Sequence, residues 1–499
     1  MSHARFAPKA ASGVPGLDEV LSGGFTRGSL FLIEGSPGTG KTTLALRFLL
    51  EGAHLGERGL YIALSVTKHE LLGGIESHGW TVPADVEIFE LQPPESVLDP
   101  DQYQSLLYSS DLELGETVKL IFAAVERVKP ARIVLDSLSE IRLLAQSSLR
   151  YRRQLLALKH YFARQQATVL VLDDLTSEAL DKTAHSIAHG VVLLEQLAPN
   201  YGGERRRMRV IKYRGQPFRG GFHDFTIKTG GLEVFPRLIA GEQTTRFERK
   251  VLSSGVAQFD ALLGGGIDNG SSTLLLGPAG SGKSRVSLQF AAASISRGEK
   301  VALFVFEEEV GLLMARAKAM GMDLETFCKD GQLFIEQVDA AELSPGEFAH
   351  RVRRCVELHG AGIVIVDSLN GYRSAMPEEQ SLILHMRELL QHLNRRGVST
   401  FLTVAQHGLV GDMKAPIDVT YLADTVILLR YFEAAGRVLR AISVIKKRTG
   451  PHEDTIRAFQ ITSEGLVVGE PLRDFQGVLR GAPNYTGAID PVPRDRKLQ

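Results

Sequence analysis

The chain has 499 residues, of which 44% are hydrophobic, and its 57 basic and 58 acidic side chains leave a formal net charge of −1. This length exceeds what one hydrophobic core usually serves, and it suits two domains of roughly 230–250 residues each. The balanced charge disfavours DNA binding. Because there is no run of about 18 apolar residues and no leader-like segment, we expect a cytoplasmic protein without a membrane span.

Both halves of the chain are expected to have the same order of elements. A glycine-rich turn precedes an apolar strand, and the strand leads through a phosphate-binding loop into a helix. In the first half this strand is residues 29–34 and the helix is 42–51; in the second half they are 272–276 and 284–293. Further apolar strands alternate with helices, which predicts α/β domains with a mostly parallel sheet covered by helices on both faces.

Two phosphate-binding loops of the form G-x-x-x-x-G-K-[ST] are the most specific motifs in the chain. The first consists of Gly35, Ser36, Pro37, Gly38, Thr39, Gly40, Lys41 and Thr42. The second consists of Gly277, Pro278, Ala279, Gly280, Ser281, Gly282, Lys283 and Ser284. Their lysines lie 242 residues apart, and the same offset carries Gly13 onto Gly255. We therefore interpret the chain as a tandem duplication of one nucleotide-binding domain.

The residue types of these loops indicate the ligand. Backbone N–H groups of the loop and of the helix N-terminus bind phosphate oxygens. Lys41 and Lys283 supply a point charge to the β- and γ-phosphates, and Thr42 and Ser284 coordinate Mg²⁺. The nucleotide contacts are expected to extend to the next residue of each helix, which is Thr43 or Arg285. Both halves are thus expected to bind ATP with Mg²⁺.

Each half also has an acidic residue at the end of a later apolar strand. These residues are Asp136, which ends the strand 131–136, and Asp367, which ends the strand 362–367. The C-terminal edge of a parallel sheet is where an acid that holds Mg²⁺-bound water belongs. Asp136 and Asp367 are therefore predicted metal residues.

A polar residue, Gln406, follows the predicted strand Thr400–Val404, where a side chain can sense the γ-phosphate. In the first half the predicted strand Thr168–Leu172 is followed by Asp173. The sequence thus aligns Asp173 with Gln406.

The two halves differ at the end of their second strand. The second half reads Phe306-Glu307-Glu308-Glu309 where the first half reads Leu64-Ser65-Val66-Thr67. A carboxylate beside the γ-phosphate positions the attacking oxygen and accepts its proton. Glu307 and Glu308 are therefore predicted catalytic residues, together with the loop lysines, Lys283 and Lys41. We expect the second site to do the chemistry while the first mainly holds nucleotide. The acids that could replace the missing pair are Asp173, Asp174 and Glu140.

Two cation triplets occupy matching places near the end of each half. They are Lys212-Tyr213-Arg214 and Lys446-Lys447-Arg448. Alternation along a strand puts the first and third side chains on one face. Such a pair can reach the γ-phosphate of a neighbouring subunit and stabilise charge in the transition state. Lys212, Arg214, Lys446 and Arg448 are therefore predicted to act in trans.

From Gly13 to Leu479 the chain resembles the KaiC family, the double-domain ATPases and autokinases of the cyanobacterial circadian clock in the RecA-like superfamily. Besides the phosphate-binding loops, the resemblance rests on several local motifs. They are Gly16-Leu17-Asp18 with Gly23-Gly24, Asp136-Ser137, Gly203-Glu204-Arg205-Arg206-Arg207, Lys212-Tyr213-Arg214-Gly215, Phe306-Glu307-Glu308 and Ala423-Asp424-Thr425-Val426-Ile427-Leu428-Leu429.

The resemblance implies a homohexamer of stacked double rings, with ATP at subunit interfaces. It also implies slow Mg²⁺-dependent ATP hydrolysis and serine/threonine autophosphorylation near the second site. The adjacent Ser-Thr acceptor pair of the family falls on Thr420-Tyr421, so Thr420 is the candidate phosphoacceptor and Tyr421 departs from the pattern. Ser65 and Val66 are a second departure. We therefore expect a KaiC-like protein in circadian, signalling or stress regulation, with KaiA/KaiB-like or signalling partners.

The expected domains are 1–238, an ATP-binding domain, and 250–475, an ATPase and kinase domain, followed by a flexible tail, 476–499. Two alternatives are open at this point. A RecA-like DNA recombinase or helicase has the same sheet and loop. A scaffold whose rings bind ATP for assembly, with little turnover, is the other.

Overall fold

The computed structural model describes residues 8–91, 109–175, 182–198, 202–239, 241, 247–373, 379–406, 419–434, 436–463, 465–480 and 484–486. The chain forms two compact units, Met1–Arg237 and Leu238–Gln499. Each unit contains its own hydrophobic cores on the two faces of one large sheet. Within the ranges given above, no helix combines the length and the apolar character that a membrane span requires.

The first domain alternates strands and helices. Its strands are β1 (Lys9–Ala10), β2 (Phe25–Thr26), β3 (Leu30–Gly35), β4 (Gly59–Ala63), β5 (Val86–Glu90), β6 (Arg132–Asp136), β7 (Thr168–Asp174), β8 (Gly190–Leu197), β9 (Arg205–Tyr213), β10 (His223–Lys228) and β11 (Gly231–Phe235). Its helices are α1 (Leu17–Val20), α2 (Lys41–His54), α3 (Lys68–Ser77), α4 (Ser109–Val128), α5 (Leu138–Ala145), α6 (Ser148–Arg164) and α7 (Thr183–Ile187).

The second domain repeats this order. Its strands are β12 (Val251–Leu252), β13 (Ile267–Asp268), β14 (Ser272–Gly277), β15 (Lys300–Val305), β16 (Leu333–Gln337), β17 (Ala361–Asp367), β18 (Ser399–Ala405), β19 (Thr425–Ala434), β20 (Arg437–Lys447), β21 (Arg457–Thr462), β22 (Gly465–Pro471), β23 (Phe475–Gln476) and β24 (Asn484–Tyr485). Its helices are α8 (Ala257–Leu262), α9 (Lys283–Ser296), α10 (Val310–Ala319), α11 (Leu324–Lys329), α12 (Pro345–His359), α13 (Leu369–Arg373) and α14 (Glu379–Arg395).

The two main sheets have nine strands each and the same topology. Their orders are β11-β10-β9-β8-β3-β7-β6-β4-β5 and β16-β15-β17-β18-β14-β19-β20-β21-β22. In the first sheet the strands from β8 to β5 are parallel, and β9, β10 and β11 extend the sheet in antiparallel pairing. The second sheet has the same division. This confirms the predicted tandem α/β fold of the RecA-like type.

Parallel pairing brings the predicted site residues to one edge of each sheet. The phosphate-binding loops follow β3 and β14, while Asp136 and Asp367 end β6 and β17. The strand between the two, β7 or β18, separates loop and aspartate by only one strand position. Strand neighbours lie about 4.8 Å apart, so loop, aspartate and the end of the intervening strand are within reach of one ligand.

Glycine is required where each loop enters its helix. The residue before α2, Gly40, has φ 98°, and the residue before α9, Gly282, has φ 110°. Both angles lie in the left-handed region that favours glycine. A Cβ atom on Gly40 would also lie 2.5 Å from Ile227 Cδ1, and one on Gly282 would lie 2.8 Å from Ile461 Cδ1. The loops are thus packed closely against the antiparallel part of their own sheet.

The stretch assigned to a flexible tail begins with packed structure. Val478 is buried and joins a small cluster with Phe432 and Ala441. The short strands β23 and β24 pair antiparallel, and the rings of Phe475 and Tyr485 contact at 5.4 Å. The sequence analysis did not predict this packing, because the Gly, Pro and Arg content of the segment indicated a flexible tail and Val478 was not recognised as a buried residue. Positions 481–483 and 487–499 lie outside the described residues.

Candidate nucleotide sites

The two loop lysines are held in the same way. Lys41 Nζ donates to the carbonyl oxygens of Gly35 and Ser36 at 2.7 and 3.1 Å. Lys283 Nζ makes the corresponding two bonds in its own loop at 2.9 and 2.7 Å. Both side chains are buried. Each lysine head is therefore fixed against its loop, where a point charge for a phosphate is needed.

The loops have features of a cradle for phosphate. A Cβ atom on Gly35 would lie 2.5 Å from the carbonyl oxygen of Leu194, so only glycine fits there. In the second loop the buried Ser281 Oγ has no hydrogen-bond partner among the residues described. Helices α2 and α9 both begin at the loop lysine, so their first N–H groups face the loop. These features fit a nucleotide phosphate.

A hydroxyl group orients each strand-ending aspartate. Tyr61 Oη donates to Asp136 Oδ2 at 2.5 Å, and Thr42 also hydrogen-bonds to this carboxyl group. Thr403 Oγ1 donates to Asp367 Oδ1 at 2.5 Å. Burial raises the pKa of Asp136, and the nearby Asp174 carboxylate raises it further. Sequence reasoning missed Tyr61 and Thr403, because both reach the aspartates across the sheet.

Magnesium fits these positions as a partner of the nucleotide. Across the described ranges, no group of three His, Cys, Asp or Glu side chains is placed to hold a metal ion alone. Mg²⁺ typically binds through one or two carboxylates together with substrate phosphates and waters. The residues available for this are Thr42 with Asp136 and Ser284 with Asp367.

The three glutamates after β15 have three different environments. Glu307 accepts a hydrogen bond from Ser368 Oγ at 2.9 Å. Glu308 accepts two hydrogen bonds from Arg316, at 3.0 and 2.6 Å. Glu309 caps helix α10.

Of these three glutamates, Glu307 is the one whose charge affects the pKa of Lys283. Burial lowers the pKa of Lys283, while the charges of Asp367 and Glu307 oppose this shift. Glu307 is therefore the glutamate of this run whose charge reaches the loop lysine, and Glu308 is engaged by Arg316.

The first domain has the same backbone turn after its strand β4, but without the two carboxylates that correspond to Glu307 and Glu308. Thr67, the counterpart of Glu309, also caps its helix and forms a capping box with Glu70. The equivalent strand-end bonds, Leu64 N to Asp136 O and Phe306 N to Asp367 O, fix the alignment of the two turns. Ser65 and Val66 therefore occupy the positions of Glu307 and Glu308, the predicted catalytic pair. Gly74 stands where the second domain has Arg316, so both partners of that ion pair are absent.

Of the three acids considered as replacements, Asp174 contacts the loop lysine. Its Oδ1 lies 2.7 Å from Lys41 Nζ. Asp173 pairs with Arg142, and Glu140 lies on α5.

The alignment of Asp173 with Gln406 is wrong. The backbone N–H of Leu175 donates to Gly35 as that of Gln406 does to Gly277, so Leu175 is the counterpart. Strand β7 continues to Asp174, two residues beyond the predicted end, because Asp173 and Asp174 pair with Glu34 and Gly35 on β3. Gln406 is buried beside the second loop, and its Oε1 has no partner among the residues that the structure describes.

The predicted trans cations contact backbone carbonyls of their own chain. Lys212 Nζ donates to the carbonyls of His185 and Ala188, and the Arg214 guanidinium donates to that of Ser186. These carbonyls lie at the C-terminal end of α7, where cations are favourable. The cations of each pair thus lie on one side of the strand, as alternation predicts.

The second domain has the equivalent contacts around Thr420. Lys446 Nζ donates to the carbonyls of Thr420 and Ala423 at 2.9 and 2.7 Å. Arg448 donates to the carbonyl of Tyr421 at 3.0 Å. Thr420 itself lies in a turn before β19 and is partly exposed. The candidate phosphoacceptor and the two predicted trans cations therefore form one cluster.

This cluster lies at the sheet edge opposite the second loop. Strands β14 and β19 are parallel and pair from Thr273 with Thr425 onward. Thr420 precedes β19, whereas Lys283 follows β14, which has 6 residues. At about 3.3 Å per residue, β14 alone separates the two ends by about 20 Å. Thr420 cannot reach the nucleotide loop of its own domain.

Comparison with known proteins identifies the family of the chain. A family model described as "ATPase: KaiC" matches residues 10–239 and 252–473. The circadian clock oscillator protein KaiC of Parathermosynechococcus lividus is 26% identical over 495 residues, which cover 97% of this chain and 89% of that protein. The circadian clock protein KaiC3 of Synechocystis sp. is 27% identical over 487 residues, 96% of this chain and 95% of that protein. With two nucleotide loops in two domains that each match the family model, the chain belongs to the KaiC family of ATPases.

Proposed function

We propose that this KaiC-family ATPase hydrolyses ATP slowly with Mg²⁺ and phosphorylates itself on Thr420 through its second site. The observation that carries the proposal is the position of Glu307. Its carboxylate accepts from Ser368 and acts on Lys283, whereas the first domain has Ser65 at the same place. The chemistry that depends on the glutamate pair is thus assigned to the second site, and the first loop binds MgATP.

The residues of the second site divide the work of phosphoryl transfer. Lys283 and the loop N–H groups bind the β- and γ-phosphates, and Ser284 with Asp367 would hold Mg²⁺, which neutralises charge on the phosphates. Glu307 accepts the proton of the attacking water or of the Thr420 hydroxyl. The new bond forms between that oxygen and the γ-phosphorus, the bond to the β-phosphate oxygen breaks, and ADP leaves. Only the nucleophile distinguishes hydrolysis from autophosphorylation.

A ring of identical subunits, a homohexamer with two tiers, supplies the missing contact. Thr420, Lys446 and Arg448 lie at the edge opposite the loop of their own domain, so they can act only on a nucleotide of a neighbouring copy. In that arrangement the cations leave the carbonyls they now contact and stabilise the γ-phosphate in trans. Lys212 and Arg214 serve the first tier in the same way.

The family supports a proposal for the biological role. The relatives named above are circadian clock proteins, which supports a role in circadian or signalling regulation with KaiA/KaiB-like or signalling partners. Two features set this chain apart, namely Tyr421 beside the acceptor and Ser65-Val66 in the first site. They favour a signalling or stress role over timekeeping.

A RecA-like DNA recombinase or helicase is the second candidate. Its best evidence would be a free basic surface, and the arginine run at the start of β9 is the densest basic segment of the sequence. There, Arg206 lies 3.1 Å from Glu204, and Arg207 lies 2.6 Å from Glu195 and over the ring of Phe222. Pairing reduces the charge available to phosphates. Salt-sensitive binding to DNA would favour this candidate.

The test of the proposed function is incubation of the pure protein with Mg²⁺ and γ-labelled ATP, following free phosphate and label on the chain. Label on Thr420 that disappears in Glu307→Gln establishes the autokinase. Phosphate release without label leaves an ATPase alone. If neither product forms, the protein is a nucleotide-assembled scaffold and the proposal fails.

A further inference from the structure

The positive charges of the two loop lysines, Lys41 and Lys283, have different carboxylates near them. An ammonium group has three N–H donors. Lys41 directs them to two loop carbonyls and to Asp174, whose Oδ1 lies 2.7 Å away. At the matching place in the second domain, β18 pairs Ala405 with Gly277, as β7 pairs Asp174 with Gly35. The carboxylate beside Lys41 is therefore a feature of the first site.

Asp174 is also close to the first metal residue. Strand β7, which ends at Asp174, pairs with β6, which ends at Asp136. The Asp174 side chain is 34% exposed, whereas that of Asp173 is 9% exposed and pairs with Arg142. Asp174 thus ends the strand that lies between the loop strand and the strand of the metal residue, and its side chain is partly exposed to solvent beside Lys41.

The second site also has a carboxylate near its loop lysine, besides the metal residue. Lys283 has two carboxylates acting on it, the metal acid Asp367 and Glu307. Lys41 likewise has the metal acid Asp136 and one further carboxylate, Asp174. In the second domain this further carboxylate, Glu307, follows β15. In the first domain it is Asp174, which ends β7, the neighbour of the loop strand β3. Asp174 contacts its lysine directly at 2.7 Å, whereas Glu307 influences Lys283 through its charge.

We propose that Asp174 is the catalytic carboxylate of the first site, so that the first domain hydrolyses ATP without the glutamate pair. When the γ-phosphate takes over Lys41, Asp174 accepts the proton of a water that attacks the γ-phosphorus. The bond to the β-phosphate oxygen breaks, ADP and inorganic phosphate form, and the proton passes from Asp174 to solvent. This rests on the proposed function, since it requires that the first loop binds MgATP.

The test removes the second site's carboxylate and measures what remains. In the full-length Glu307→Gln protein, phosphate release from MgATP reports the first site. Adding Asp174→Asn is expected to lower that release by about 100-fold, the usual range for loss of a general base. Asp174→Glu should retain activity. Asp173→Asn is the matched control, since it removes the adjacent carboxylate that faces Arg142, and it should leave the rate within about twofold.

Fluorescent ATP binding and thermal unfolding accompany each variant, so a folding defect is separated from a chemical one. Asp174→Asn that binds ATP more tightly and hydrolyses it at the same rate or faster would make Asp174 only a partner of Lys41, and the inference is wrong. Glu307→Gln protein that binds ATP at the first loop but releases no phosphate also overturns it. Wild-type protein that releases no phosphate would defeat the proposed function itself.

Discussion

The Ser368 hydroxyl donates to Glu307 at 2.9 Å, and this contact joins the strand that ends in Asp367 to the strand that carries the glutamates. Ser368 directly follows Asp367, so the contact links the predicted metal residue to the predicted catalytic carboxylate. The contact also explains why Glu307 and Glu308 diverge. Glu307 is turned toward Ser368, while Glu308 is turned toward Arg316 on α10.

Replacing Glu307 should affect turnover more than replacing Glu308. Glu307→Gln removes the carboxylate that acts on Lys283, and we expect second-site hydrolysis and labelling to fall by a factor of 10² to 10⁴, typical of a lost general base. Glu308→Gln weakens a pair with Arg316 and should cost about tenfold or less. The measurement is single-turnover phosphate release by proteins that also carry Asp174→Asn, which is expected to suppress the contribution of the first site. Equal losses in both variants would show that Glu308 shares the proton transfer.

Glu309 provides a control within the same run. Its carboxylate accepts from the N–H groups of Gly311 and Leu312, both at 2.8 Å, and is exposed. Glu309→Gln should lower the unfolding temperature slightly and leave phosphate release unchanged. A large loss of activity would mean that the cap positions Glu307.

Asp136→Asn should stabilise the nucleotide-free protein. Burial raises the pKa of this carboxyl in the folded state, so folding favours its protonated form. The folded state therefore loses stability as the pH rises through that raised pKa, and a neutral amide avoids the loss. We expect a higher unfolding temperature for the variant at pH 7–8 and a smaller difference near pH 4. Each kcal/mol appears as about 2–4 °C for a domain of this size.

The same variant should respond less to ligand. Added MgATP stabilises the wild-type first domain by mass action, and Asp136→Asn should lose part of that increment because a metal residue is missing. If the variant is less stable than wild type at pH 8 without nucleotide, the carboxylate itself contributes to folding and the prediction is wrong.

Thr420→Ala should abolish labelling and spare hydrolysis. The bond from Lys446 goes to the carbonyl of Thr420 and survives the substitution, so the turn should stay in place. Phosphopeptide mass spectrometry after incubation with MgATP measures the outcome. Thr449→Ala, which alters a threonine that hydrogen-bonds to Asp268, serves as the control and should keep the label. Undiminished label in Thr420→Ala would assign the acceptor to another residue.

Complementation in mixed assemblies should reveal action in trans. Lys283→Ala lacks the second loop's charge but keeps Arg448, and Arg448→Ala keeps the loop but lacks the cation. Each variant alone is expected to release phosphate from its second site at least tenfold more slowly than wild type. When the two are mixed and reassembled, interfaces with an intact loop and an intact cation form, and part of the activity should return. Mixtures no more active than their components would place Arg448 outside the neighbouring site.

Local motifs allowed much of the fold and the nucleotide loops to be predicted. The octet around Lys41 fixes a strand, a loop and a helix through a few adjacent residues, and alternation of apolar strands with helices predicts a parallel sheet. The same local logic placed Asp136 and Asp367 at the ends of strands, where the structure has them. The family was recognised from short motifs, and the family model confirms it.

Contacts across the sheet could not be predicted in this way. Asp174 meets Lys41 because β7 pairs with β3, and Tyr61 meets Asp136 because β4 pairs with β6. These depend on strand register, which sequence spacing does not specify. The incorrect alignment of Asp173 with Gln406 has the same origin. Two consecutive acids suggest the end of a strand, but Asp173 and Asp174 pair with Glu34 and Gly35 and therefore belong to β7.

The parallel polarity of β14 and β19 has a consequence for how the enzyme responds to its own abundance. The second domain has its phosphate loop at one end of these strands and its cations at the other, and β3 and β8 are parallel in the same way in the first domain. If the cations act in trans as proposed, one isolated chain holds two half-sites and no complete one. In the proposed ring, activity per molecule must rise with protein concentration until assembly is complete, and must fall on dilution. The cellular level of the protein then sets its specific activity as well as its amount.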